Sequence, residues 1–274
     1  MRYLDLDEIH KVTLDVVKKI ISICEEQNIT YYTMYGSLIG TVRHKGFIPW
    51  DDDFDIMMLR PDYDRFMQYC IENSEALYPY KLINRNTAKD YTFNISRFCD
   101  CRYEMIRDNG EVSAGMGIFV DIYPFDGLGN SATMIREKIL LKKQVLIRAV
   151  LCSESKKWFS GSLFRGLLKY PLSIVFNKGS KAYWLGKLKR FREQYSVKDS
   201  KYVGCVIWDD GMVFFEKEWF NKTILMDFED IKVAVPYKYH EVLVTIYGNY
   251  MELPPKEDQV PTHAYRIVKK YACD

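Results

Sequence analysis

Apolar side chains recur every third or fourth position near the start of the chain, at Ile9, Val12, Val16 and Ile20, with Leu14, Val17, Ile21 and Cys24 beside them. That spacing predicts an amphipathic helix from a cap at Asp5 or Asp7 to about Asn28. The pattern then changes: Tyr31-Tyr32-Thr33-Met34-Tyr35 is aromatic and β-branched, reads as a strand, and stops at Gly36-Ser37. A short helix is expected from Ser37 to about His44. Gly46 and Pro49 break the chain before a second strand, Phe54–Leu59, and Pro61 opens a helix carrying Tyr63, Phe66, Met67 and Cys70. Further strand-like runs are Tyr91–Phe98 and Gly117–Tyr123, the second closed by Pro124 and Gly127. Residues 131 to about 195 look mainly helical, and Tyr237–Tyr247 offers a last helix before Pro254-Pro255. The alternation predicts an α/β (α+β) protein with a mixed sheet of about four or five strands flanked by helices.

Composition narrows the chemistry. In 274 residues, 48% apolar side chains supply one sizeable core. With 39 basic against 37 acidic side chains the chain lacks a polyanion-binding signature, so nucleic acid is not an expected partner. Seven cysteines without CxxC spacing, and a start without an apolar export segment, predict reduced thiols in a cytoplasmic protein. The four histidines form no HExxH or paired Cys/His pattern, which argues against zinc. No run reaches the ~20 apolar residues that a bilayer-spanning helix needs.

Charge and apolar residues alternate in Asp53-Phe54-Asp55-Ile56. On a strand both carboxylates then share one side, their stems about 6.6 Å apart, while Phe54 and Ile56 enter the core. Two like charges side by side on a half-buried strand are costly without a cation, so Asp53 and Asp55 read as ligands of Mg2+ or Mn2+ rather than as a solvated acidic turn. An EF-hand is not expected, because the sixth-position glycine and twelfth-position glutamate are missing. Gly36-Ser37 stands where a strand hands over to a helix, a natural seat for phosphate. Asp121 in Phe119-Val120-Asp121-Ile122-Tyr123 is a lone acid in an apolar strand. It is expected to join the other two acids, the alternative being a buried salt bridge to Arg97 or Arg102.

The segment from Gly36 through Ser37, Arg43-His44-Lys45-Gly46 and Pro49-Trp50-Asp51-Asp52-Asp53 to Ile56 strongly resembles the signature of the LicD family, whose animal relatives include fukutin and fukutin-related protein. The resemblance continues in Val120–Gly127, in Tyr239–Tyr250 with its Tyr247-Gly248-Asn249-Tyr250, and in Leu253-Pro254-Pro255 followed by His263. Phe54 and Asn249 depart from it, standing where an aliphatic residue and an aspartate are common. It implies a nucleotidyltransferase-like fold that moves a phosphorylated alcohol from a CDP carrier to a glycan. The expected activity is transfer of phosphocholine from CDP-choline to a teichoic acid or lipopolysaccharide precursor, with CMP released. Ribitol or glycerol phosphate as cargo, and a nucleotidyltransferase reaction at the α-phosphate, are the enzymatic alternatives; a membrane-bound adaptor is the non-enzymatic one.

Within that reaction Asp53, Asp55 and Asp121 are the expected catalytic and metal-holding residues, with Asp121 completing the shell or taking the acceptor's proton. Gly36, Ser37, Arg43, His44, Lys45 and Trp50 are the expected substrate contacts, the basic three on the diphosphate. Trp50 is a candidate wall for a quaternary ammonium, with Tyr35 or Tyr123 as weaker ones. From Lys156 to Arg192 there are ten Lys or Arg, no Asp or Glu, and eight aromatic residues. This stretch suits the surface of an anionic membrane or the phosphates of a lipid-linked glycan acceptor, and places the protein peripherally at the inner face of the bacterial plasma membrane. The expected organisation is a catalytic core over 1–128, a basic helical insertion over 129–200 and a C-terminal segment over 201–274 that completes the core.

Overall fold

Helix α1 (Leu6–Glu26) begins where its cap dictates. Asp5 Oδ1 accepts from the Glu8 amide at 2.9 Å and Glu8 Oε2 accepts from the Asp5 amide at 3.0 Å, which satisfies two first-turn donors reciprocally. Its buried stripe is Val16, Val17, Ile20, Ile23 and Cys24. The structure is a computed structural model that describes residues 2–107, 110, 115–154, 180–208, 213–261 and 265–270.

Strand β1 (Tyr32–Thr33) is shorter than the aromatic run predicts. Met34 caps helix α2 (Tyr35–Ile39), and Tyr35 turns the chain with a left-handed φ of 51°, so the helix starts two residues before Ser37. A π-helical turn over Gly40–His44 extends it. Gly40 is required there, since a Cβ would stand 2.5 Å from the Gly46 carbonyl oxygen. Strand β2 (Asp55–Leu59) and helix α3 (Arg60–Glu72) follow the predicted pattern, with Pro61 in the first helical turn.

Strand β3 (Tyr80–Ile83) has no counterpart in the sequence reading, and β4 (Ser96–Asp100) takes only the end of the run Tyr91–Phe98. Tyr91 and Ile95 are apolar because they are buried, not because they lie in a strand. After β5 (Tyr103–Arg107), strand β6 (Ile118–Gly129) runs through Pro124 and Gly127, the residues expected to end it. Its pairing with β4 stops at Ile122 and its pairing with β7 (Tyr202–Gly204) starts at Asp126. The donor that Pro124 lacks therefore falls in a gap between two ladders.

Chain contacts group residues 1–125 with 217–274 in one compact unit and 126–216 in another. In the first, the sheet order is β1-β2-β6-β4-β3. Its pair β2/β6 is parallel and the others are antiparallel. The second unit holds α4 (Ala132–Met134), a π-helical turn over Ile135–Ile139, α5 (Leu140–Glu154) and α6 (Lys181–Arg192), and β7 pairs with β8 (Phe215–Glu216). Of the basic, aromatic stretch 156–192, residues 156–179 lie outside the described residues.

The chain returns to the first unit with the hairpin β9 (Thr223–Phe228) and β10 (Ile231–Pro236), helix α7 (Tyr239–Tyr247), and β11 (Tyr265–Lys269), which pairs with β5. The hairpin and β11 give the C-terminal segment more strand than the sequence reading allows. His263 lies outside the described residues.

Candidate functional site

Asp55 and Asp121 are register partners across the parallel pair β2/β6. Partners on neighbouring strands project to the same face about 4.8 Å apart, and Asp53, two residues upstream of Asp55, returns to that face. One carboxylate oxygen from each of Asp53, Asp55 and Asp121 lies within 4.8 Å of the other two. The intervening side chains go the other way, with Phe54 0% and Ile56 1% exposed. Asp51, Asp52 and Asp53 form a second such group, so Asp53 is common to both.

Arg97 is the register partner of Asp121 on the opposite side, in β4. Its Nε donates to Asp121 Oδ1 at 2.6 Å and its Nη2 to Oδ2 at 3.3 Å. The guanidinium lies over the rings of Phe119 at 3.9 Å and Phe93 at 4.4 Å. A row Asp55, Asp121, Arg97 thus crosses three strands. Convergence of the acids and pairing with Arg97 are alternatives in the sequence, and the structure holds both. Arg102 instead binds Asp100 at 2.6 Å. Burial alone would lower the pKa of Arg97, but Asp121 and Tyr91 outweigh it and raise it.

Among the described residues Asp55 has no such partner. Its Oδ1 is buried without a hydrogen bond. Burial pushes its carboxyl well above the usual carboxylate range, Asp53, Asp121 and Asp51 push it further, and Arg97 acts in the opposite sense. An orphaned carboxylate oxygen facing two other carboxylates is a hard, all-oxygen donor set, and it fits a divalent cation of the Mg2+ class.

Ser37 stands directly behind the acids. Its Oγ accepts from the Asp55 amide at 2.8 Å, and its carbonyl accepts from Thr41 Oγ1 at 2.7 Å. Its hydroxyl therefore sets the position of Asp55, and the first-turn amides of Gly36 and Ser37 have no partner within α2. A Cβ on Gly36 would stand 2.7 Å from Asp51 Oδ2, so the carboxylate occupies the space that a side chain would take. His10 on α1 fixes the same segment: its Nε2 donates to the Asp51 carbonyl at 2.6 Å and its ring stacks on Phe47 at 4.1 Å.

A cavity of about 510 Å³ opens beside this turn. Gly36, Arg43, Trp50 and Asp51 line it from one part of the chain, and Tyr247 and Tyr250 from another. Desolvation, then the charges of Asp55, Asp51 and Asp53, push the Tyr247 phenol upward, which ties the cavity electrostatically to the acids.

The basic residues are divided by the fold. Arg43 lines the cavity, but its Nη1 donates to the carbonyls of Tyr250 at 2.8 Å and Glu252 at 3.1 Å. His44 meets Trp50 edge-on with ring centroids 6.2 Å apart, and burial and Arg43 lower its pKa. Lys45 is exposed and left-handed (φ 59°), and its carbonyl accepts from the Glu229 amide at 2.8 Å. Glu229 Oε1 in turn accepts from the Phe47 amide at 3.1 Å and holds the loop. Neither His44 nor Lys45 is among the cavity walls. Tyr35 and Tyr123 pack edge-on against each other, centroids 4.8 Å apart, and line no part of it.

Sequence reasoning assigns no site role to His10, Glu229, Tyr247 or Tyr250. The two tyrosines were within reach, as the ends of Tyr247-Gly248-Asn249-Tyr250; His10 and Glu229 carry no local signal.

Carboxylates set on neighbouring strands next to a strand-to-helix turn define a nucleotidyltransferase-type domain. Residues 28–149 match "LicD/FKTN/FKRP, nucleotidyltransferase domain". The chain is 34% identical over 273 residues to "Lipopolysaccharide cholinephosphotransferase LicD" of Haemophilus influenzae, covering 96% of this chain and 97% of that one. It belongs to the LicD family. Shorter similarity links it to two uncharacterized proteins, RT0683 of Rickettsia typhi (40% over 53 residues, 19% of this chain and 17% of that one) and RP689 of Rickettsia prowazekii (40% over 47 residues, 17% and 18%).

Proposed function

We propose that the chain transfers phosphocholine from CDP-choline to a hydroxyl of a cell-surface glycan precursor, of lipopolysaccharide or teichoic acid type, and releases CMP. The observation that carries this reading is the meeting of Asp53, Asp55 and Asp121 in a chain whose full-length relative is a lipopolysaccharide cholinephosphotransferase. In the reaction the acceptor oxygen bonds to the choline-bearing phosphorus, the bond from that phosphorus to CMP breaks, and the hydroxyl proton leaves to a carboxylate or water. Such transfers depend mainly on alignment and charge neutralisation rather than covalent help from the protein.

Asp53, Asp55 and Asp121 would hold Mg2+ or Mn2+, which supplies positive charge to the diphosphate. Arg97 keeps Asp121 oriented through two charge-assisted hydrogen bonds, which suits Asp121 to ligation. Asp53 is the least buried of the three, which makes it the one most open to an incoming acceptor. The amides of Gly36 and Ser37 lie at the turn beside these acids, where a diphosphate oxygen can be received.

No helix among the described residues is long and apolar enough to cross a membrane. We place the protein in the cytoplasm, peripheral at the inner membrane face, with residues 156–192 contacting anionic lipid or the lipid-linked acceptor. The test offers CDP-choline, CDP-ribitol and CDP-glycerol with Mg2+ and a glycolipid acceptor, and follows CMP release beside an Asp55→Asn control. CMP from CDP-choline that depends on acceptor, metal and Asp55 is the expected result. Pyrophosphate from a nucleoside triphosphate, without CMP from any CDP-alcohol, would overturn it.

A further inference from the structure

The cavity beside the acids has a composition that phosphate transfer does not require. Its volume, about 510 Å³, suits a small molecule. Three aromatic side chains, Trp50, Tyr247 and Tyr250, share it with the carboxylates of Asp51, Glu252 and Asp258. Among the described residues that line it Arg43 is the one basic side chain, and its Nη1 is engaged by two backbone carbonyls.

Several polar ends on this lining already have partners. Asn249 Nδ2 donates to Glu252 Oε2 at 3.1 Å, and the Tyr250 hydroxyl meets His240 Nδ1 at 2.9 Å. What the cavity offers a guest is aromatic faces, apolar surface and negative charge. A polyol would use the carboxylates as acceptors but gain little from the aromatic walls, whereas a quaternary ammonium, which has no N–H, is held by π faces and nearby anions together. Asp51 lines the cavity and also belongs to the group that shares Asp53 with the metal-type cluster, so the cavity adjoins the acids to which the reaction is assigned.

We infer that Trp50, Tyr247 and Tyr250 seat the trimethylammonium of the cargo, under the negative charge of Asp51, Glu252 and Asp258, and select choline over uncharged alcohols. This rests on the phosphocholine-transfer reading. It departs from the sequence expectation at Tyr35 and Tyr123, whose rings are spent on each other. Trp50 is kept, and its two partners come from the far end of the chain.

The test is calorimetric titration of the full chain with CDP-choline, CDP-glycerol and CDP in Mg2+, with CMP release followed separately. Wild-type protein is expected to bind CDP-choline more tightly than CDP-glycerol. Trp50→Leu and Tyr247→Leu should each weaken CDP-choline by about 5–30-fold and leave CDP unchanged, while Trp50→Phe, which keeps a π face, retains most of the preference. Unchanged CDP binding reports an intact fold, and Tyr247, 44% exposed, tolerates truncation better than a core residue. Wild-type protein with no choline preference, or variants that keep it, would overturn the inference. A preference lost in the variants, without CMP release by the wild type, upholds the seat and refutes the transfer. CMP released from CDP-choline, with the preference unaltered in both variants, does the reverse.

Discussion

Asp55→Asn separates what the fold requires at this position from what the chemistry requires. The wild-type Oδ1 is buried without a partner, within 4.8 Å of oxygens from Asp53 and Asp121. Above the folded-state pKa of Asp55 an amide removes one of three crowded charges and gives the other two a donor, and below it the amide spares the folded chain the cost of taking up a proton. Hydrogen bonds to charged groups contribute ~1.5–3 kcal/mol, so the metal-free variant should gain about 1–3 kcal/mol. At ~2–4 °C per kcal/mol for a protein of this size class, its Tm rises by roughly 2–12 °C. The pH dependence follows from the raised pKa of Asp55. Between the ordinary carboxylate range and the folded-state value, the folded chain holds a proton that the unfolded chain has lost, so metal-free wild-type stability falls as pH climbs through that interval and then levels off. The variant lacks that part of the slope. Mg2+ at ~100 times its Kd should stabilise the wild type by about 2.7 kcal/mol and leave the variant nearly unmoved, while turnover of the variant drops by ~10²-fold or more. Melting curves with and without Mg2+ at several pH values, read beside CMP release, decide the matter. A metal-free variant that melts below the wild type, or an equal Mg2+ response in both proteins, would refute the reasoning.

Arg97→Met should cost about 3–5 kcal/mol in urea denaturation, because it strands a buried Asp121, and the double variant Arg97→Met with Asp121→Leu should recover most of that without recovering activity. A single variant within ~1 kcal/mol of wild type would show that the pair is not needed. Gly36→Ala should leave stability within about 1 kcal/mol, since its Cβ meets the movable end of Asp51 at 2.7 Å, yet raise KM or lower kcat for CDP-choline. Unaltered kinetics would show that the Asp51 carboxylate is not placed for substrate. Glu229→Ala removes the acceptor of the Phe47 amide and should cost ~1–2 kcal/mol; Glu229→Gly loses the same bond but relieves the left-handed φ of 51°, so a glycine variant less stable than the alanine one would contradict the argument.

What could be read in advance was whatever a local pattern encodes. The Asp5 cap, the α1 stripe and the period-two alternation of Asp53-Phe54-Asp55-Ile56 are each settled within a few residues of chain, and each has its expected counterpart. Strand limits were less legible because pairing sets them. Tyr91 and Ile95 look like strand residues but are core side chains outside any strand. Pro124 looks like a strand end, yet it is accommodated because β4 stops and β7 starts on either side of it. The position of Asp121 is of the same kind. Nothing in its own segment says that β2 rather than another strand lies beside it in register, so ligation and pairing with Arg97 could only be offered as alternatives, and the row of three strands satisfies both.

Arg43 shows why half of the cavity stayed hidden. A basic residue between a phosphate turn and a cluster of acids reads most simply as a phosphate contact. In the fold its Nη1 reaches instead the carbonyls of Tyr250 and Glu252, some two hundred positions away in the chain. Backbone carbonyls carry no sequence signature, so no pattern announces such a bond. The consequence is chemical as well as architectural. The guanidinium that could have lent positive charge to the cavity is partly committed to holding the segment that bears Tyr250 and Glu252, and the walls are left aromatic and acidic. Selection of a cationic cargo would then follow from the same bond that brings the two ends of the first unit together.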